Sequence, residues 1–263
     1  MTDQPRAVSD DLSVPRRRAF REWLAYTIAL ALLVTLFCGP LIYSALTSDR
    51  TGLCFLIGAL FVLALGRNLV DVLFIDHQMS LAQKQVSELV SIRKIGPFIR
   101  QCESSLLRDH LVNLHEIAKR DPHVTQDNLV VLLQSRLNSR LRLTDSASAV
   151  LVTLGLVGTI IGLIASVSGV SDVMAAVGTD KTALLGGMQH TLGGMGTAFY
   201  TTLLGALIGG IVLRILSTIV ASHADHLVAH IAELSEVHIL PALRNASRRR
   251  ERDSLNSGDS LDL

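Results

Sequence analysis

Two threonines offer the clearest chemistry in this chain. Thr159 lies among Gly155, Gly158, Gly162 and Ser166, and Thr202 among Ala198, Gly205 and Gly209, each inside a long stretch free of charge. A hydroxyl in apolar sequence either bonds back to a carbonyl of its own helix or coordinates a passing ion or water. Thr201, next to Thr202, adds a third oxygen suited to Na⁺. Carrying protons through a membrane core needs a group that binds and releases them, and a buried acid is the usual one. The charge-free stretches around these threonines hold no Asp or Glu, and Asp71 falls at the end of another apolar window, poorly placed for a central acid. The chain therefore reads as half of an ion-handling site whose acid comes from another polypeptide. His190 is a candidate for ion entry near one membrane face. His223, His226, His230 and Glu233 recur at helical steps of three, four and three. They read as a hydrated helix face rather than a metal site, and no metal or resident cofactor is expected; the ion carried would be H⁺ or Na⁺.

The elements that hold these residues are set by hydropathy. Of the 263 residues, 49% are hydrophobic and only 18% charged, below the quarter usual for soluble domains. The shortfall is local. No charge occurs between Glu22 and Asp49; a second window follows Arg50 and meets Arg67, which pairs with Asp71 one turn on or snorkels. A third window runs over 146–171 and a fourth over 182–213. Each is long enough to cross about 30 Å of hydrocarbon as a helix. Gly39-Pro40 should kink or end the first span, and the first part of the fourth reads as a loop or interfacial segment. The start is too long and lacks a clean cleavage site for a signal peptide. Cys38, Cys54 and Cys102 form no CxxC pair and read as free thiols.

Lys and Arg give the orientation. Arg16, Arg17, Arg18 and Arg21 precede span one, ten basic residues lie between Asp76 and Asp145, and Arg248–Arg250 lie in the tail, whereas the two short connections carry only Arg50 and Lys181. Both termini and the middle segment are expected in the cytoplasm. The organisation is thus an all-α membrane protein with four transmembrane helices and a helical cytoplasmic segment. Residues 1–21 form a cytoplasmic start, 22–75 spans one and two, 76–145 the cytoplasmic helices, 146–220 spans three and four, 221–246 a helical extension, and 247–263 a disordered polar tail. In the cytoplasmic segment Leu106, Leu107, Leu111, Leu114 and Ile117 recur at helical spacing, Gly96-Pro97 and Asp121-Pro122 punctuate, and Leu129–Leu143 forms an amphipathic helix leading into span three.

Thirteen of the 19 glycines lie between Gly155 and Gly210. Small residues let membrane helices touch backbone to backbone, so these stripes suit either tight packing within one subunit or the wall of a pore. The segment Leu154-Gly155-Leu156-Val157-Gly158-Thr159-Ile160-Ile161-Gly162 resembles the LGLLGTxxG signature of the MotA/TolQ/ExbB proton-channel family, and Ala198-Phe199-Tyr200-Thr201-Thr202-Leu203-Leu204-Gly205 resembles its second signature. The resemblance implies a pentameric ring in the bacterial inner membrane, around a dimer of a single-span MotB/TolR/ExbD-like protein that supplies the membrane aspartate. It also implies pore-lining stripes with Thr159 and Thr202 near that acid. Two departures stand out: Ser148-Ala149-Val150 and Ala206–Gly210 occupy places where relatives carry proline.

The function expected is that of a ring subunit in an ion-driven motor or stator; the alternative is a non-conducting scaffold anchoring a cytoplasmic or envelope complex. A transporter is disfavoured by the absence of internal repeats and intramembrane charges. There is no Walker A loop, HExxH, GxSxG or Rossmann fingerprint, so no enzymatic activity is expected. A net charge of +1 and a short basic tail give no ground for nucleic-acid binding.

Overall fold

The computed structural model describes residues 18–48, 52–92, 103–120, 125–178, 181–241 and 243–245. The readings of the first 17 residues, Gly96-Pro97, Cys102, Asp121-Pro122 and the tail from Ser247 lie outside them. Every described element is helical: α1 (Arg18–Ser48), α2 (Leu53–Ile92), α3 (Leu106–Arg120), α4 (Asp127–Ala176), α5 (Lys181–Leu204), a π-helical segment (Gly205–Leu213), α6 (Arg214–Leu234) and a second π segment (Ser235–Ile239). Four stretches are long and apolar enough to cross a membrane: Ala19–Thr47, Leu53–Gln85, and windows within Asp127–Ala176 and Lys181–Val237.

At two places the structure removes one of two alternatives left open by the sequence. Pro40 does not end α1, which continues to Ser48; with no water in hydrocarbon to take up freed backbone groups, a helix that can re-form beyond a proline does so. The start of span four is helical from Lys181, not a loop. Its paired glycines, Gly186-Gly187 and Gly193-Gly194, look like breakers in sequence. Gly187 and Gly194 are instead buried contact points, and the turn before α5 uses Gly178, whose φ of 85° suits a residue without a Cβ.

The chain divides into two compact units. The apolar unit comprises 22–71 and 141–220. Its core joins Ala45, Cys54, Ile57 and Ala64 to Leu151, Leu204 and Leu213. Leu32, Leu36, Phe37 and Tyr43 of α1 point outward, as lipid-facing side chains do. Cys38 and Cys54 form no disulfide. Two polar pairs hold inside this unit. The Trp23 Nε1–H donates to Asn68 Oδ1 at 2.6 Å, and the expected Arg67–Asp71 pair forms at 3.2 Å with Asp71 buried.

The polar unit holds residues 72–140 and those from 221 onward. The buried face of α3 is Leu107, Leu111, Leu114 and Ala118, while Ile117 is exposed, so the stripe turns one residue past the expected one. Ser105 caps α3 by accepting the Arg108 N–H at 3.0 Å. Gln78 of α2 accepts the Leu106 N–H at 2.9 Å. Gln126, just before α4, links three elements. Its Nε2 donates to the Ala232 carbonyl at 2.9 Å and to Glu236 Oε2 at 2.6 Å, and its Oε1 faces His110 Nε2 at 3.4 Å. Burial pushes the pKa of His110 below its ordinary value of 6.5, against a smaller upward pull from Gln126. Among the described residues, no group of three or more His, Cys, Asp or Glu is arranged to hold a metal, and the His223–Glu233 face is no exception.

Candidate functional site

The small residues of α4 and α5 meet each other within one chain. A Cβ on Gly162 would stand 2.5 Å from the Ala198 nitrogen; one on Gly194, 2.5 Å from the Ser166 nitrogen; one on Gly205, 2.7 Å from the Leu151 carbonyl. Gly158 and Gly169 are equally closed, against Thr201 and Thr191, and Gly155 is tight, with a Cβ 3.0 Å from the Thr201 carbonyl and 3.2 Å from Gly205. The stripes are thus an intramolecular seam in which backbone touches backbone, the arrangement small residues make possible between membrane helices. Gly155, Gly158, Gly162, Ser166, Ala198, Gly205 and Gly209 are all buried here.

A seam has two flanks. At about 100° per residue, Leu154, Tyr200 and Leu204 fall on one flank, where they pack against the Ala45–Ile57–Ala64 core of α1 and α2. Thr159 and Thr202 fall on the other, where Thr202 is exposed and Thr159 partly so. Their hydroxyls, which come from different helices, are hydrogen-bonded to each other. Thr159 Oγ1 also reaches the Gly155 carbonyl at 3.2 Å. Thr202 Oγ1 reaches the same carbonyl at 3.2 Å and that of Ala198 at 3.0 Å. Each hydroxyl has one proton to give, so two protons serve four contacts. The cluster is rich in acceptor oxygens, and such a set favours a hard cation or a proton donor.

Thr201, expected beside this path, lies in the seam instead. It is fully buried over Gly158, and its hydroxyl donates back to Thr197 O at 2.9 Å or Ala198 O at 3.1 Å. One residue of helix separates an open hydroxyl from a packed one. His190 is not brought to the threonines. Twelve residues before Thr202 on α5, it is exposed, with its Nδ1 3.5 Å from Asp172 Oδ2. Asp172 escaped the sequence reading because a charge-free window must stop at a charge, whereas α4 runs on to Ala176.

The two departures from the expected motifs face each other. Ser148 is buried and its Oγ donates to the Gly209 carbonyl at 2.7 Å, inside the π segment that follows α5. The run of buried positions explains that segment. Thr201, Gly205, Gly209 and Leu213 succeed one another at steps of four, all buried. In an α-helix each such step carries the ridge about 40° further round; the wider π turns keep it against α4.

Residues 99–233 match the family described as the MotA/TolQ/ExbB proton channel family. No curated protein and no solved structure matches the chain.

Proposed function

Because the chain belongs to the MotA/TolQ/ExbB proton channel family, a channel and transport-coupling rather than enzymatic family, we propose that it is the ring subunit of an ion-driven motor in the bacterial inner membrane, with both termini in the cytoplasm. In this reading five copies surround two membrane helices of a MotB/TolR/ExbD-like partner, and the open Thr159–Thr202 flank of each copy faces the partner's aspartate. The observation that carries it is the acceptor-rich oxygen cluster on the one flank of the seam that the chain's own helices leave uncovered. The apolar unit supplies no acid there, so the proton-binding group belongs to the partner. Its protonation removes a charge, lets the ring step, and resets on release to the cytoplasm. His190 is not brought to the threonines, so the path is assigned to the hydroxyls alone; they suit H⁺ and Na⁺ alike.

The test is Thr159→Val and Thr202→Val, which keep shape and remove the oxygens. Both should abolish ion-driven work in membranes holding the chain and its partner, with the complex still assembled at its normal mass. Full activity in both variants overturns the assignment. A complex with no single-span partner, and no ion flux, favours the scaffold reading instead.

A further inference from the structure

The π segment Gly205–Leu213 is unusual enough to need an account of what holds it. Such segments occur mostly as single wide turns, frequently at functional sites, and an unfavourable backbone persists only where its surroundings over-determine it. Three contacts do so here. Gly205 and Gly209 lie so close to α4 that a Cβ on either would fall 2.6–2.7 Å from Leu151 atoms. The third is the Ser148 hydroxyl, which donates to the Gly209 carbonyl at 2.7 Å in a fully buried bond. At the far junction the Arg214 N–H turns back to the Ile211 carbonyl, so the ladder closes tightly where the π geometry ends. A carbonyl displaced from its α-helical partner inside a membrane costs several kcal/mol if nothing donates to its lone pairs. Ser148 is the side chain that meets this one.

We propose that Ser148 is a positioning residue. By holding the Gly209 carbonyl it fixes the wide turns of span four, and so sets the register at which Thr202 meets Thr159. Without it, the Gly209 carbonyl loses its donor from α4 and the segment is freer to tighten toward α geometry. Each wide turn takes up about one residue more than an α turn, and each residue of slippage turns one part of the span against the other by about 100°. That angle separates the open Thr202 from its neighbours Thr201 and Leu203. The functional consequence rests on the motor reading above; the register itself does not.

The experiment is disulfide mapping in the membrane-embedded protein, with Cys38, Cys54 and Cys102 replaced by serine. The pair Thr159→Cys with Thr202→Cys should cross-link on oxidation. Adding Ser148→Ala should lower its yield several-fold and raise that of Thr159→Cys paired with Leu203→Cys or Thr201→Cys, and Ser148→Thr should restore the first pattern. The pair Asp172→Cys with His190→Cys, remote from the π segment, should cross-link equally in all backgrounds. An unchanged 159–202 yield in Ser148→Ala overturns the proposal. So does a parallel loss at 172–190, which would make Ser148 a general packing residue. No ion flux is read, so this result and the threonine-to-valine result fail independently.

Discussion

Gly162→Ala and Gly193→Ala are the same chemical change in the same kind of helix, and the structure assigns them opposite signs. At Gly162 a Cβ would stand 2.5 Å from Ala198 N, 2.6 Å from Gly194 O and 2.7 Å from Ala198 Cβ. Ordinary heavy-atom contacts begin near 3.5 Å, and the first two of these neighbours are backbone, so α4 and α5 must part by roughly 1 Å at that level. Overpacking of this kind costs about 1–3 kcal/mol. The helical preference for alanine returns about 0.5–1 kcal/mol, leaving a net loss. At Gly193 nothing lies within 4 Å, so only the gain of about 0.5–1 kcal/mol remains. Thermal unfolding of the purified protein in detergent should place Gly162→Ala below the parent and Gly193→Ala at or above it, separated by roughly 2 kcal/mol. A Gly162→Ala protein that melts with or above the parent would refute the backbone-contact account of the seam.

Three further outcomes follow from other contacts. His110 is buried with a lowered pKa, so the unfolded chain binds the proton more readily. Its contribution to stability is fully present above pH 6.5 and is lost as pH falls through the lowered folded value; His110→Gln should flatten the melting-temperature profile between pH 8 and 5. Trp23 is the chain's one tryptophan. Asn68→Leu removes the acceptor of its indole N–H and should shift its fluorescence, at a cost of about 1–2 kcal/mol. Arg67→Ala takes the cation 3.2 Å from buried Asp71 and should cost about 1–3 kcal/mol, reduced by Arg67's partial exposure. Arg67→Ala with Asp71→Asn should recover much of that loss in the same melts.

Hydropathy and spacing made the four spans, the α3 helix and the small-residue stripes legible, because lipid and close packing each leave a compositional mark. What they could not give is which side of a stripe faces what. Thr201 and Thr202 are adjacent identical residues, and only the way α5 packs on α4 makes one a seam residue and the other an open hydroxyl. The π segment did leave a trace, in the unbroken steps of four from Thr201 to Leu213, but reading it requires knowing that all four positions are buried. Asp172 and the helical start of α5 escape such a reading because neither the first charge nor the length of one crossing marks where a helix stops: a helix already begun carries a charge at little cost where a neighbour or water meets it. The Gln126 junction has no sequence signal, since its partners lie 16 and more than 100 residues away.

The internal bonding of Thr159 and Thr202 bears on how such a chain is made. Because both hydroxyls already reach carbonyls of their own helices, a newly inserted copy leaves neither hydroxyl proton without an acceptor on that flank. It can wait in the bilayer for its companions at little energetic penalty. In the ring proposed above, assembly would then be driven by what the companions add, not by relief of a defect.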